Sequence, residues 1–169
     1  IQIFTRRGGG QGLQPRLHLG FGSHQTWERS LGLSGGDEQT RFNLGASLDD
    51  SAGANRTHES YASDRDDDAN RNQSFSLSLS HAASDDLEVG LNVLDNRGKS
   101  EYDNPFGRFD PATFESLPQQ PYSEFAVSSF STYVDGRIND VWKSRLELGH
   151  SENREKTFDK LSDVREVFN

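Results

Sequence analysis

The sequence predicts an all-β chain and, within that class, part of an antiparallel transmembrane β-barrel, with about seven strands present. Three observations carry this. Apolar residues recur at every second position in seven separate runs. The connections between those runs alternate between tight and long. The chain is also too polar for an ordinary soluble core, with 31% hydrophobic residues and a mean hydropathy of −0.86. Polarity of this degree fits either a disordered chain or a barrel with a polar lumen face and an apolar lipid face. Regular alternation favours the barrel.

The runs follow in order. Leu17, Leu19 and Phe21 alternate with Arg16, His18, Gly20 and Gly22. Trp27, Leu31 and Leu33 alternate with Glu28, Ser30, Gly32 and Ser34, and Phe42, Leu44, Ala46 and Leu48 with Arg41, Asn43, Gly45 and Ser47. Phe75, Leu77 and Leu79 stand against serines 74, 76, 78 and 80, and Leu87, Val89, Leu91 and Val93 against Glu88, Gly90 and Asn92. Phe130, Thr132 and Val134 form the sixth run, and Trp142, Leu146 and Leu148 the seventh. Each spans about ten residues, close to what a tilted strand needs to cross a bilayer.

Tight turns are expected at 35–39, 83–86 and 136–140, and a short connection at 23–26. Long connections fall at 49–72 and 95–124. Outer-membrane barrels place short turns on the periplasmic side and long loops outside. Seven strands are an odd number and do not close a single-chain bacterial barrel, so more strands are expected elsewhere. The opening residues read as lying before the first barrel strand. The polar end, 159–169, reads as a loop after the seventh.

The net charge of −9 argues against nucleic acid as a partner. No apolar run approaches the ~18 residues of a membrane helix. Enzymatic signals are poor. The five histidines, His18, His24, His58, His81 and His150, include no i, i+4 pair for zinc. No Gly-x-Ser-x-Gly occurs, and Gly8-Gly9-Gly10 is followed by no Lys-Ser/Thr. The expectation is a non-enzyme without an organic cofactor.

Several short runs resemble TonB-dependent outer-membrane receptors. Ile1-Gln2-Ile3-Phe4-Thr5-Arg6-Arg7 is similar to the end of their plug domain, and Gly8 to Gly12 to the linker that follows, so residues 1–12 would be plug and linker and 13–169 the start of the barrel. Within that superfamily the chain most resembles the cobalamin transporters. The runs that carry this are Leu19-Gly20-Phe21-Gly22-Ser23, Asp66-Asp67-Asp68, and Asp95-Asn96-Arg97 followed by Tyr102-Asp103. The resemblance implies a barrel of about 22 strands, a bacterial outer-membrane location, lipid contact, and TonB engagement through a plug region. It also implies active uptake of cobalamin or a related corrinoid, with calcium on acidic residues of the second and third extracellular loops. The alternatives are a siderophore or other metal-complex receptor of the same superfamily, a small non-transporting barrel, and a soluble β-sandwich binding module.

The residues themselves support a cation at the acidic loops. Between 49 and 72 there are seven acidic residues against three arginines, and calcium takes six to eight oxygen ligands, which acidic loops supply. Asp64, Asp66 and Asp68 are the candidates in the first long connection, Asp95 and Asp103 in the second. The solvated-charge reading stands beside this one. An EF-hand is excluded because Arg71 occupies the required glycine position and Leu77 that of the bidentate glutamate. Tyr102, Phe106 and Phe109 are the candidate ligand-contacting rings, with packing of that loop on itself as the competing reading. Trp27 and Trp142, both at strand starts, fit either a membrane interface or ordinary packing.

Overall fold

A computed structural model describes residues 12–55, 67–104, 106–117, 119–159 and 165–168, with side chains up to Phe158. The strands are β1 (Gln14–Gly22), β2 (Thr26–Gly36), β3 (Thr40–Ser51), β4 (Asn70–Ser84), β5 (Leu87–Glu101), β6 (Arg108–Asp110), β7 (Glu115–Leu117), β8 (Pro121–Arg137), β9 (Lys143–Asp159) and β10 (Arg165–Phe168). Eight of them form one antiparallel meander in the order β1-β2-β3-β4-β5-β8-β9-β10. β6 and β7 form a separate hairpin inside the β5–β8 connection. The sheet is open, since β1 and β10 lie at its two edges and do not pair with each other.

The seven expected strands are present, and two expectations about extent are corrected. The long connections shrink to 52–69 and 102–120, because β3, β4, β5 and β8 run well into them. Both faces of the segment Asp95–Glu101 are rich in charged and polar residues, which makes it read as loop. It is nevertheless a strand, because β4 and β8 offer a continuous ladder of backbone partners on either side. For the same reason Arg165–Phe168 pairs with β9, where the sequence suggested only loop. The short connections lie where expected. At Ser23–Thr26 the Thr26 N–H donates to the Ser23 carbonyl at 3.1 Å, and His24 and Gln25 both have positive φ, the geometry of a type I′ hairpin turn.

The ladder sorts side chains onto two faces of opposite character. One face carries Leu17, Leu31, Ala46 and Phe75 directly across from one another, with Pro15, Leu33, Leu44, Leu77, Val93 and Phe130 in the next row. The other carries Ser34, Asn43, Ser78, Asn92 and Ser131 in a single row. There the Ser78 hydroxyl donates to Asn92 Oδ1 at 2.9 Å, Asn92 Nδ2 donates to Ser131 at 3.4 Å, and Ser47 and Ser74 bond at 2.8 Å. In β4 the apolar-face positions 71, 73, 75, 79 and 81 are exposed, while the serine-bearing positions 74, 76, 78 and 80 are half-buried. Leu17 is 71% exposed, and among the described residues the single buried large hydrophobic is Tyr133, at 5%. No second layer covers the leucines among the described residues.

The apolar band crosses the sheet obliquely. In β1 the run Pro15–Phe21 is centred on His18, and the ladder leads straight across from His18 to Asn153 in β9. The leucines of β9, Leu146 and Leu148, lie about six residues nearer the short turns. The intermediate strands drift in proportion, so the band shifts by about one residue per strand. Trp27 opens β2 at the long-loop end, and Trp142 stands just before β9 at the short-turn end. Both are exposed, and Trp27 packs edge-to-face on Phe21 with ring centroids 4.4 Å apart.

Two aromatic side chains fill space that only glycine leaves free. Gly90 pairs across the ladder with Tyr133, and Gly98 with Phe125. A Cβ built on Gly90 would stand 2.2 Å from the Tyr133 ring, and one on Gly98 2.4 Å from that of Phe125. The Tyr133 hydroxyl donates to Glu88 at 2.9 Å, and the Arg145 guanidinium lies 4.1 Å from the ring centroid. Aromatic coverage of a strand glycine in this manner pins register.

The β2–β3 turn contains a titratable lock. The Asp37 carboxylate accepts the Thr40 N–H at 2.6 Å and the Gln39 N–H at 2.9 Å, and these bonds, Thr40 first, hold its pKa below the ordinary carboxylate value. A lowered folded pKa means that the stabilisation is present above the ordinary carboxylate pKa and is lost as pH falls through the folded one. Asp37→Asn is therefore expected to be less stable than wild type near neutrality, with the gap closing in acid. Denaturant midpoints measured across pH check this, and parallel curves would refute it.

Candidate functional site

The two long connections leave the sheet at the same end and side by side, because β4 and β5 are paired neighbours. The Glu101 N–H donates to the Ala69 carbonyl at 2.9 Å and joins the loop bases. Within the first loop, Asn55 N–H donates to Asp67 Oδ1 at 3.1 Å. Gly53 has φ +73, and a Cβ there would lie 1.8 Å from the Asp68 carbonyl oxygen, so the two arms of this loop pass in contact. The second loop is ordered by Asn104, whose Oδ1 accepts the Phe106 N–H at 3.2 Å and whose carbonyl accepts the Gly107 N–H at 3.0 Å. It then forms the β6–β7 hairpin, turned by Asp110, which accepts the N–H groups of Ala112 and Phe114.

The expected ligand rings divide. Phe109 packs edge-to-face on Phe114 with centroids 6.0 Å apart, which is the self-packing reading. Phe106, 69% exposed, and Tyr102 remain presented to solvent at the same end. Of the expected calcium ligands, Asp64 and Asp66 lie outside the described residues. Asp68 and Asp103 belong to the adjacent loops. Asp95 does not join them. It lies inside β5, paired with Arg97 at 2.9 Å, and the end of β5 at Glu101 is roughly 20 Å further along an extended strand. Both carboxylate oxygens of Asp103 are buried and have no hydrogen-bond partner among the described residues. Among the described residues no three His, Cys, Asp or Glu side chains converge in a way that would hold a metal ion.

The sequence reading missed a charged groove on the apolar face, beyond the leucine band. It has a volume of about 550 Å³ and is lined by Arg71, Arg97, Lys99, Arg154 and Lys156, with Glu124 as its one acidic side chain. These residues continue the apolar phase of their strands. In β5 the same face reads Leu91, Val93, Asp95, Arg97, Lys99, and in β9 Leu146, Leu148, His150, Glu152, Arg154, Lys156. The signal was therefore present, as a change of chemistry without a change of period. A second groove, of about 540 Å³, lies at the short-turn end, where Arg145 bridges Asp135 and Glu147 and Arg137 bonds Asp86.

No protein-family model matches this chain, and neither a curated protein nor a solved structure does so.

Proposed function

We propose that this chain is a segment of an outer-membrane β-barrel of the TonB-dependent receptor class, whose long-loop end captures a corrinoid, cobalamin or a relative, for active transport. The observation that carries the membrane part is the inverted polarity of a single-layered sheet, with Leu17, Leu31, Leu79, Leu146 and Leu148 exposed and the serine-bearing face of β4 the more buried one. In water, each leucine-sized side chain left uncovered forgoes about 2 kcal/mol of burial, and a soluble sandwich would cover that face with a second sheet. Lipid is the solvent in which the arrangement is favourable. The oblique band supports the same reading. A drift of one residue per strand, with a rise of ~3.4 Å and a strand spacing of ~4.8 Å, keeps the band level when strands tilt by about 35°, within the range of transmembrane barrels. The two exposed tryptophans fall toward opposite margins of the band, where amphipathic rings favour the interface.

The transport part rests on the family resemblance and on two adjacent structured loops that present Phe106 and Tyr102 at one end. Calcium ordering of those loops belongs to the same proposal, through the buried Asp103 carboxylate, which has no hydrogen-bond partner among the described residues. The test is uptake of labelled cobalamin by a host strain that lacks its own transporter. The full-length protein is expected to restore it, and deletion of residues 106–117 to lower it by about tenfold, a loss of binding worth about 1.4 kcal/mol. Restoration by the deleted protein at the wild-type rate would remove the hairpin from ligand capture. No restoration by the intact protein, with restoration of a siderophore or other metal complex instead, would replace the corrinoid.

A further inference from the structure

We propose that the charged groove binds phosphate groups of lipid headgroups in the leaflet on the long-loop side. This rests on the membrane reading above and adds a specific lipid site to it. The groove is on the same face as the leucine band and is separated from Val93 and Phe130 by the single row Asp95, Ser128 and Glu152, so an occupant anchored in the band would reach it with its headgroup. Five cations line it against one carboxylate. Arg97 and Arg154 stand in one row with Ala126 between them, and this small side chain leaves the floor open beneath two guanidinium groups. In the next row Glu124 lies between Lys99 and Lys156.

The arginines are not free of protein partners. Arg71 meets Asp50 at 3.3 Å, Arg97 meets Asp95 at 2.9 Å, Lys99 meets Glu101 at 2.8 Å and Arg154 meets Glu152 at 2.6 Å. The three guanidinium groups are solvent-exposed, which keeps their pairs weak, whereas Lys99–Glu101 is half-buried. A phosphate offers guanidinium a stronger, bidentate partner. The carboxylates then serve to hold the cations extended over the groove until lipid arrives. Asp50, Asp95, Glu101 and Glu152 do not line the groove.

The experiment folds the full-length protein in detergent and bilayers and first scores insertion by protease protection. Bound lipid is then counted by native mass spectrometry with a diphosphorylated glycolipid and its dephosphorylated counterpart. The phosphorylated lipid is expected to be retained about tenfold more tightly. R97Q/R154Q/K156Q should erase that margin, and the charge-keeping R97K/R154K should hold only part of it, because lysine keeps the charge and loses the bidentate fork. If the triple variant fails to insert, R154Q and K156Q alone should each lower the margin several-fold. Equal retention of the two lipids by an inserted wild type overturns the site and leaves the membrane reading standing. So does a margin unchanged in the glutamine variants, or displacement of the lipid by millimolar inorganic phosphate, which would identify free phosphate as the ligand. A wild type that remains unprotected and water-soluble overturns the membrane reading itself, before any lipid is counted.

Discussion

Leu17→Arg is expected to cost about 2–4 kcal/mol of stability in bilayers, whereas His18→Arg, one residue away, is expected to cost less than about 1 kcal/mol. The two positions are neighbours on β1 and point to opposite faces. Leu17 lies in the leucine band, directly across from Leu31. His18 lies on the polar face opposite Ser30, its ring 3.3 Å from Glu28, a contact that arginine can keep. In water the ranking would be different. Leu17 is 71% exposed, and an exposed leucine replaced by arginine in a soluble protein changes stability by no more than about 0.5 kcal/mol. The pair therefore reports the solvent around the apolar face and not merely the health of the fold. Urea midpoints of the full-length protein folded into vesicles give the measurement. A Leu17→Arg variant as stable as wild type would remove the membrane reading.

Gly90→Val is expected to destabilise by about 3 kcal/mol, because an inserted side chain forces a well-packed ring off its site. The new Cβ would stand 2.2 Å from the Tyr133 ring, and the ring cannot retreat without losing its hydroxyl bond to Glu88 and its stacking beneath Arg145. Gly136→Val is the control. Its nearest neighbour would be Leu87 Cδ1 at 3.9 Å, ordinary contact, so a change within about 0.5 kcal/mol is expected. Neither glycine has positive φ, so backbone strain does not separate them. The mechanism is isolated by the double variant Gly90→Val/Tyr133→Ala, which should cost at least ~1 kcal/mol less than the sum of the singles. Additive losses would mean that Tyr133 does not pack on Gly90 in solution.

Much of the strand pattern was legible. Alternation located the cores of all seven main strands, and the short turns fell between them as expected. Strand ends were not legible. Asp95 to Glu101 and Arg165 to Phe168 lack apolar alternation, yet both are strands, because ladder hydrogen bonds join backbones and do not ask which side chains are present. That error carried into the site, since Asp95 was placed in a loop beside Asp103 and lies instead on a strand with Arg97. The hairpin that pairs Phe109 with Phe114 was equally hidden, because its two strands are three residues each, too short for periodicity to show.

By itself the sequence determined that the chain is antiparallel β with one apolar and one polar face, because a two-residue period is written directly in the order of side chains. It did not determine which face is outward. That depended on tertiary structure, through a single layer that leaves Leu17, Leu31, Leu79, Leu146 and Leu148 exposed and turns the serines of β4, Gly90 and Tyr133 to the more buried side. The charged groove likewise exists only after folding. Arg71 and Lys156 are distant in the chain, and register alone, set by short turns and by rings seated on glycines, brings them to one place.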